Sequence, residues 1–206
     1  MRRWRFLFAI VLLPLLAACT LPPPALVANV QVFHRLPPGE RGSIAVKAMD
    51  DRKATSLEFS SYARRLEGHL AARGFTLAAP DEFPDYEAWL DYGIDGTTVT
   101  RTEHEPLRGV VGFDRRRGRP DEPIYGTTGY RTVVHDDVVY TRTLSVDLLQ
   151  NVRRGQQVKV YEGRVTSRGG CGRLPSVAEP MLRALLADFP GMDGGTRTIE
   201  VPYAGC

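Results

Sequence analysis

The chain has 206 residues, with 27 Lys and Arg against 24 Asp and Glu. Three of the basic residues, Arg2, Arg3 and Arg5, precede an apolar stretch typical of an export signal, and without them 24 basic residues balance 24 acidic ones. This neutral remainder gives no support for a nucleic-acid partner, and its length suits one domain with a single core.

Residues 1–18 have the organisation of a secretory signal peptide. The apolar stretch at residues 6–15 follows the basic residues and is too short to span a bilayer. The run Leu16-Ala17-Ala18-Cys19 then resembles the lipobox of bacterial lipoprotein precursors, in which the cysteine is acylated and becomes the first mature residue. Cys19 is therefore the predicted lipidation site, with an ordinary signal peptide or an uncleaved anchor as alternatives.

The lipobox also predicts a location. Acylated lipoproteins typically carry three acyl chains, and stable anchoring needs more than one, so we expect firm membrane attachment through Cys19. Thr20 follows in place of the Asp that often retains such proteins at the inner membrane, which favours the outer membrane, facing the periplasm. Three consecutive prolines, at positions 22–24, favour extended backbone. We interpret residues 19–32 as a tether and residues 33–206 as one domain.

The remaining cysteines are Cys171 and Cys206. In an oxidising compartment two spare cysteines are expected to pair, and such a bridge would fix the C-terminus. Free thiols or an intermolecular bridge remain as alternatives.

The first predicted elements are a strand and a helix. Residues 43–49 alternate apolar with polar positions, which predicts a strand. Thr55 and Glu58 have the spacing of a capping box at the start of a predicted helix over residues 56–73. Gly74 supplies a left-handed cap before a short strand at residues 75–77. The apolar stripe of the helix is Phe59, Tyr62, Ala63, Leu66 and Leu70.

The middle of the chain is rich in β-forming residues. Residues 88–100 predict a strand, and residues 130–134, 138–149 and 157–167 predict three more, the last two joined as a hairpin. Between them, residues 103–126 contain several Gly and Pro, and we expect a long irregular loop there, mobile or functional. Its basic run at residues 115–119 is interpreted as a solvated loop.

The last third predicts a helix and a final strand. Ser176 and Glu179 form a second capping box, Pro180 would lie in the first turn, and the helix would stop at Pro190-Gly191. A strand at residues 196–201 follows. Strands grouped between two helices predict an α+β fold, specifically a two-layer sandwich with two helices on one face of a mostly antiparallel sheet. The apolar side of this helix is Val177, Met181, Leu182, Leu185 and Phe189.

Four segments resemble an uncharacterised bacterial lipoprotein family, domain-of-unknown-function family 4136. They are the entry Phe33-His34-Arg35-Leu36-Pro37, the helix end at residues 70–75, the strand at residues 85–92 and the late motif at residues 186–191. The likeness covers residues 33–191, and its motifs are structural. The resemblance implies an envelope lipoprotein domain, carries over no site residue, and does not extend to the Arg/Gly/Pro-rich insertion or the terminal cysteine.

Candidate chemistry is sparse. His104, His135 and Asp136 could form a metal or hydrolytic site, but the sequence lacks metal-ligand spacings and phosphate-loop or nucleophile-elbow motifs. We therefore expect no cofactor and no metal. The aromatic residues Trp89, Tyr125, Tyr130 and Tyr203 could line a groove, although a half-buried sheet also uses aromatics for packing.

These observations favour a non-enzymatic binding or assembly module with an envelope protein partner, engaged by sheet-edge pairing with a contribution from residues 103–126. An envelope hydrolase or metal-dependent enzyme using His104, His135 and Asp136 is one alternative. A carrier of a small apolar ligand or lipid is the other.

Overall fold

The computed structural model describes residues 24–36, 39, 41–116, 122–152 and 155–206, and it has an α+β fold. Seven strands form one sheet, and two helices pack beside it. The strands are β1 (Ala25–His34), β2 (Ser43–Ala48), β3 (Thr76–Leu77), β4 (Tyr86–Asp114), β5 (Glu122–Val152), β6 (Gln156–Gly169) and β7 (Gly195–Pro202), and the helices are α1 (Leu57–Ala71) and α2 (Leu174–Leu185).

The sheet is mixed. Its strand order is β3-β2-β4-β5-β6-β1-β7, with β2 parallel to both β3 and β4 and the other neighbours antiparallel. The α+β class predicted from the sequence is confirmed. A plain two-layer sandwich is not seen, because β4 and β5 continue far beyond the strands beside them.

Strand β1 corrects the tether prediction. Ala25–His34 pairs with both β6 and β7, so the folded domain begins eight residues before Phe33. Its side chains alternate between buried and exposed, and Leu26, Ala28, Val30 and Val32 enter the core. Alternating apolar residues at a period of two are the signal of a half-buried strand, and the preceding prolines obscured it.

Helix α1 carries the predicted stripe, but its N-cap lies one residue later than predicted. All five stripe residues are buried. The N-cap is Ser56, whose hydroxyl accepts a hydrogen bond from the backbone N–H of Phe59 at 2.9 Å, and not Thr55. Glu58 instead accepts a hydrogen bond from the Tyr62 hydroxyl at 2.8 Å. Gly74 has the left-handed φ of 92° expected for the residue after the helix.

Helix α2 departs further from its prediction. It begins at Leu174 after Arg173, which makes no side-chain capping bond, so the predicted capping box of Ser176 and Glu179 lies inside the helix. Pro180 lies inside it as well, and the helix ends at Leu185, several residues before Pro190. A buried face extending back to Leu174 explains the earlier start, since tertiary burial stabilises a helix more than its cap does.

The core lies between the helices and the central strands. Helix α2 packs against β1, β5, β6 and β7, while α1 packs against β2, β3 and α2. Edge-to-face ring pairs connect the layers, with Tyr62 and Tyr92 at 4.8 Å and Phe75 and Tyr86 at 5.5 Å between centroids. Phe189 lies beyond the end of α2 and packs on Tyr161 at 5.0 Å.

The segment expected to be an irregular loop is a long hairpin. Strands β4 and β5 pair from Tyr86 and Gln150 to Asp114 and Glu122, with register shifts next to Leu107 and Val110. Residues 97–114 of β4 and 122–139 of β5 extend beyond the strands beside them, and we call this part the ribbon. The prediction of a loop is wrong over residues 103–114 and 122–126, which are paired strand. Glycines there permit close approach between strands, as at Gly126, where a Cβ would meet Val111 at 2.9 Å.

Candidate functional site

The predicted cysteine pairing is confirmed, and the predicted lipid site lies outside the described residues. The sulfur atoms of Cys171 and Cys206 are at disulfide-bonding distance, with their Cα atoms 5.5 Å apart. The bridge connects the C-terminal residue to the segment between β6 and α2. Cys19 and the signal peptide belong to residues 1–23, which are not described.

The ribbon separates the three residues of the enzyme hypothesis. Along the paired strands His104 lies opposite Thr132, whereas Asp136 lies opposite Thr100, four positions nearer the sheet, or about 13 Å away. His135 lies next to Asp136 in sequence and therefore on the other face of the ribbon. No group of three or more His, Cys, Asp or Glu able to hold a metal occurs among the residues that the structure describes.

Each of these side chains has a local partner in the ribbon. His104 Nδ1 is 3.3 Å from the Thr132 hydroxyl, and Asp136 accepts a hydrogen bond of 2.7 Å from Thr100. His135 Nε2 lies 3.9 Å from a carboxylate oxygen of Glu103. These are cross-strand contacts of a polar surface, and they do not converge on a substrate position.

The four candidate aromatic residues fall into two groups. Tyr125 and Tyr130 belong to the ribbon and are 71% and 69% exposed. Trp89 lies on the body of the sheet and donates its indole N–H to Glu87 at 3.0 Å, and Tyr203 packs against the core. Only the two ribbon tyrosines are available as large free contact surfaces.

The ribbon concentrates exposed apolar side chains. Of the 19 exposed large hydrophobic residues in the described part of the chain, ten belong to the ribbon. Apolar surface that is grouped in this way marks interaction sites more often than scattered single residues do. The ten are Val99, Leu107, Val110, Val111, Phe113, Ile124, Tyr125, Tyr130, Val134 and Val138.

Both edges of the ribbon are open. The β2 pairing with β4 ends at Leu90, and the β6 pairing with β5 ends at Tyr140, so among the described strands only β4 and β5 pair with each other beyond those points. At about 3.3 Å per residue, the 18 residues that each strand contributes extend about 55–60 Å. Strand edges of this kind present rows of N–H and C=O groups to any chain that can pair with them.

Neither face of the ribbon is apolar along its stem. One face carries ion pairs, including Arg131 with Glu105 at 2.6 Å and Arg101 with Glu103 at 3.0 Å. Thr100 and Thr132 lie on the other face. At the end of the stem, Arg116 lies 3.0 Å from Asp114, and residues 117–119 of the predicted basic run are not described. Both faces of the stem are therefore polar and exposed to solvent.

A second polar cluster lies on the sheet body, on the face of β4 opposite the buried Ala88 and Leu90. Glu87 is only 5% exposed and accepts hydrogen bonds from Lys47 at 2.6 Å, Gln157 at 2.8 Å and Trp89 at 3.0 Å. Burial raises the pKa of the Glu87 carboxyl, but these donors outweigh burial and lower the pKa below its usual value. Because protein donors occupy both carboxylate oxygens, we assign Glu87 a structural role.

A cleft of about 260 Å³ opens where β1 ends beside β6, lined by His34, Lys159 and Asp193 among others. Asp193 accepts the backbone N–H of His34 at 2.8 Å, and His34 Nε2 is 3.0 Å from the carbonyl of Gly191. Lys159 pairs with Asp147 at 2.6 Å, which raises the pKa of the lysine. His34 Nδ1 and the Tyr161 hydroxyl, both buried, have no hydrogen-bond partner among the described residues. The ribbon is nevertheless the stronger candidate site, because it exposes more apolar surface and open strand edges.

The sequence analysis identified part of this region as a candidate site but did not predict that it forms paired strands. Residues 103–126 and the two ribbon tyrosines were singled out from Gly/Pro content and from aromatic residues. The signal that could have revealed the strands is the run of threonines and valines around residues 97–102 and 132–139, since these residues favour extended backbone on both exposed faces.

Comparisons with known proteins give the fold alone. No family model matches the chain, and no curated protein matches it. A solved structure described as a PDZ domain protein from Parabacteroides distasonis is similar, with a TM-score of 0.51, 13% sequence identity, and coverage of 85% of this chain and 38% of that one. Neither helix in the described residues has the length and apolar composition of a membrane-spanning segment.

Proposed function

We propose that this chain is a lipid-anchored lipoprotein of the bacterial outer membrane, faces the periplasm, and acts as a non-enzymatic module that binds an envelope protein through the ribbon. The observation that carries the proposal is the ribbon itself. A two-stranded hairpin about 55–60 Å long with two open edges is marginally stable alone, and pairing with a further strand would stabilise it.

Strand addition is the binding mode that the geometry supports best. A partner strand would satisfy the open backbone groups along one edge, and main-chain hydrogen bonds would supply affinity. The exposed side chains of Tyr125, Tyr130 and Val134 would supply contact area and specificity. The charged stem argues for a protein partner over acyl chains, because burying its ion pairs in hydrocarbon is costly.

The body is proposed to act as a platform. In this proposal the two helices form one layer on one face of the sheet body, and the ribbon projects from that platform. The contacts of α2 with both α1 and four strands support this arrangement. A rigid body with a projecting hairpin suits recognition at a distance from the anchor.

The anchor and the family membership rest on sequence motifs. The lipobox ending at Cys19 supports export and acylation, Thr20 supports the outer-membrane destination, and the four segments between residues 33 and 191 support membership in domain-of-unknown-function family 4136.

Neither alternative has comparable support. The enzyme hypothesis needs His104, His135 and Asp136 together, and the ribbon holds them apart on two faces. An apolar carrier needs a cavity between the sheet and the helices. The two clefts found near β1 lie instead beside β6 and in front of β7, and the second measures about 20 Å³.

The anchor is tested with Cys19→Ser in the full-length chain. We expect the wild type to incorporate labelled palmitate and to fractionate with outer membranes, and the variant to do neither. Thr20→Asp is the matched change for location, and we expect it to shift the acylated protein toward the inner membrane. Palmitate labelling that persists in Cys19→Ser would contradict the proposed anchor.

The ribbon is tested by shortening it in the full-length lipoprotein. Replacing residues 98–138 with Asn-Gly closes β4 onto β5 through a two-residue turn after the Thr97–Val139 pair. We expect a folded body with an intact disulfide that no longer forms crosslinked complexes in native membranes. Replacing only residues 106–130 keeps half of the stem and should weaken the complexes. Complexes that are unchanged in both variants would refute the ribbon as the binding element.

A further inference from the structure

The two open edges of the ribbon differ. The β4 edge contains Pro106 at the middle of the stem, and proline has no N–H to donate to an added strand. The β5 edge has its one proline, Pro123, at its outer end and contains none between Ile124 and Val139. Proline on an exposed edge is a common device against pairing. The edge suited to strand addition is therefore that of β5.

Apolar side chains lie at both ends of this β5 edge and polar ones at its middle. Ile124 and Tyr125 lie at the tip, and Val134 and Val138 lie near the sheet body, all four exposed. Between the two groups, residues 126–132 hold only one large apolar side chain, Tyr130. If a strand with the same distribution paired antiparallel to β5, its apolar residues from the tip would lie against those near the body of β5. Its apolar residues from near the body would lie against those at the tip of β5.

Strand β5 of a second copy of the chain has this distribution. We propose that two copies associate by antiparallel pairing of their β5 edges, about a two-fold axis near Arg131. This inference rests on the proposed function and names its partner. The pairing places Ile124 of each copy opposite Val138 of the other, and Tyr125 opposite Asp137, next to Val138.

The dimensions of the β5 edge permit this pairing. The proline-free part of the open edge extends from Ile124 to Val139, and β6 occupies the edge from Tyr140 onward. Antiparallel overlap centred near Arg131 pairs residues 124–138 of the two copies and leaves Tyr140, where the β6 pairing begins, outside the overlap. The result is a four-stranded sheet in the order β4-β5-β5-β4, and sheets of three or more strands are far more stable than a single hairpin.

The assembly would also stop at two copies. Its two outer edges would both be β4 edges, each carrying Pro106, so further strands would meet an edge without a continuous row of donors. A two-fold axis uses the same surface on both copies and leaves no further copy of it exposed. The structure therefore favours a closed dimer over an open fibre.

The test uses a matched pair of cysteine variants in the full-length lipoprotein. Thr132→Cys lies beside the proposed axis on β5, and Thr102→Cys lies on the β4 edge of the same ribbon. Both threonines are exposed, so they differ mainly in the edge they occupy. A short bis-maleimide crosslinker should convert most of the Thr132→Cys protein to a dimer in native membranes and leave Thr102→Cys mostly monomeric.

A mixing experiment checks the strand direction. Ile124→Cys and Val138→Cys should each crosslink poorly alone, because the two-fold axis places each cysteine far from the same cysteine in the other copy. Coproduced as two distinguishable chains, they should form a mixed dimer. Mixed dimers that are no more abundant than the dimers of each variant alone would overturn the antiparallel pairing.

The outcomes separate this inference from the proposed function. Crosslinks from Thr132→Cys to a different protein only, identified by mass spectrometry, would overturn the self-pairing and leave ribbon-mediated binding in place. Crosslinks at neither edge, together with a monomeric mass for the purified full-length protein, would overturn both. A dimer that persists when residues 98–138 are replaced would show that the copies associate elsewhere and would overturn the inference.

Discussion

Gly163 shows how a single residue limits the packing of β6 against α2. A Cβ at this position would lie 2.6 Å from the Tyr161 hydroxyl oxygen and 2.9 Å from Leu185 Cδ1. Gly163→Ala therefore forces the ring or the helix to shift, and we expect it to lower the free energy of unfolding by about 1–3 kcal/mol. Urea denaturation measures the change. Gly129→Ala, with open space around the new Cβ, is the control and should be near neutral.

Glu87 predicts a pH dependence. Burial raises its pKa, but donors from Lys47, Gln157 and Trp89 lower it overall below 4.5. A carboxyl whose pKa is lower in the folded state stabilises the fold above its unfolded pKa, and this contribution is lost as pH falls through the folded value. The stability advantage of the wild type over Glu87→Gln should thus be full at neutral pH and shrink below about pH 4.5.

Denaturation of both proteins across the acid range measures this difference. Glu200→Gln, at an exposed position on β7, is the control. An advantage over Glu87→Gln that stays constant down to the acid-unfolding limit would show that the carboxylate charge contributes nothing.

At the scale of elements, the cap of α1 can be tested directly. The Ser56 hydroxyl accepts the backbone N–H of Phe59, whereas Thr55 precedes the cap. We expect Ser56→Ala to cost about 1 kcal/mol because the first turn loses a partner for its N–H group. Thr55→Ala should change the midpoint of denaturation little. A larger cost at Thr55 would restore the capping box predicted from the sequence.

The disulfide closes a loop that contains helix α2 and strand β7. Cys171 and Cys206 are 35 residues apart. In the chain-entropy model a loop of this length contributes about 4 kcal/mol, so Cys171→Ala with Cys206→Ala should lower the free energy of unfolding by about that amount. Reductant should destabilise the wild type similarly and leave the double variant unchanged. Equal sensitivity of both proteins to reductant would contradict a bridge.

Which elements the sequence predicts depends on how they are buried. Helix α1 buries one face, so Phe59, Leu66 and Leu70 recur at helical spacing and predict it well. Strand β1 has an equally regular period of two, but the proline run before it suggested a tether. The start of α2 was predicted from Ser176, whereas burial of Leu174 extends the helix past that cap.

The candidate site was harder to predict because the ribbon has no buried face. Its strands carry threonine, charge and glycine on both sides, so hydrophobic periodicity gives no signal there. Gly and Pro then predicted a loop, although Pro106, Gly109 and Gly126 lie within paired strands. Which edge is open depends on where β2 and β6 end, and that is a property of the assembled sheet, not of any local segment.

For the whole molecule, the body and the ribbon differ in how their hydrogen bonds are supported. In the body, strand β4 near Leu90 lies between β2 and β5, and its neighbouring side chains are buried. The ribbon is only two strands wide, and both of its faces are exposed to solvent. Local stability follows burial and neighbouring strands. The molecule thus combines a stable body with a ribbon that depends on its partner.

This contrast predicts the pattern of amide hydrogen exchange in the full-length protein. At low protein concentration, amides at residues 97–114 and 122–139 should exchange much faster than those of β4 near Leu90 and β5 near Val146, because the isolated hairpin opens readily. At high protein concentration, pairing of the β5 edges should slow amide exchange at residues 124–139 more than at residues 97–114, because only the β5 edge gains a neighbouring strand. Mass spectrometry of peptides from the two strands measures both effects. Exchange that is slow in the ribbon and independent of concentration would mean that the hairpin is stable without any partner, and the physical case for strand addition would fail.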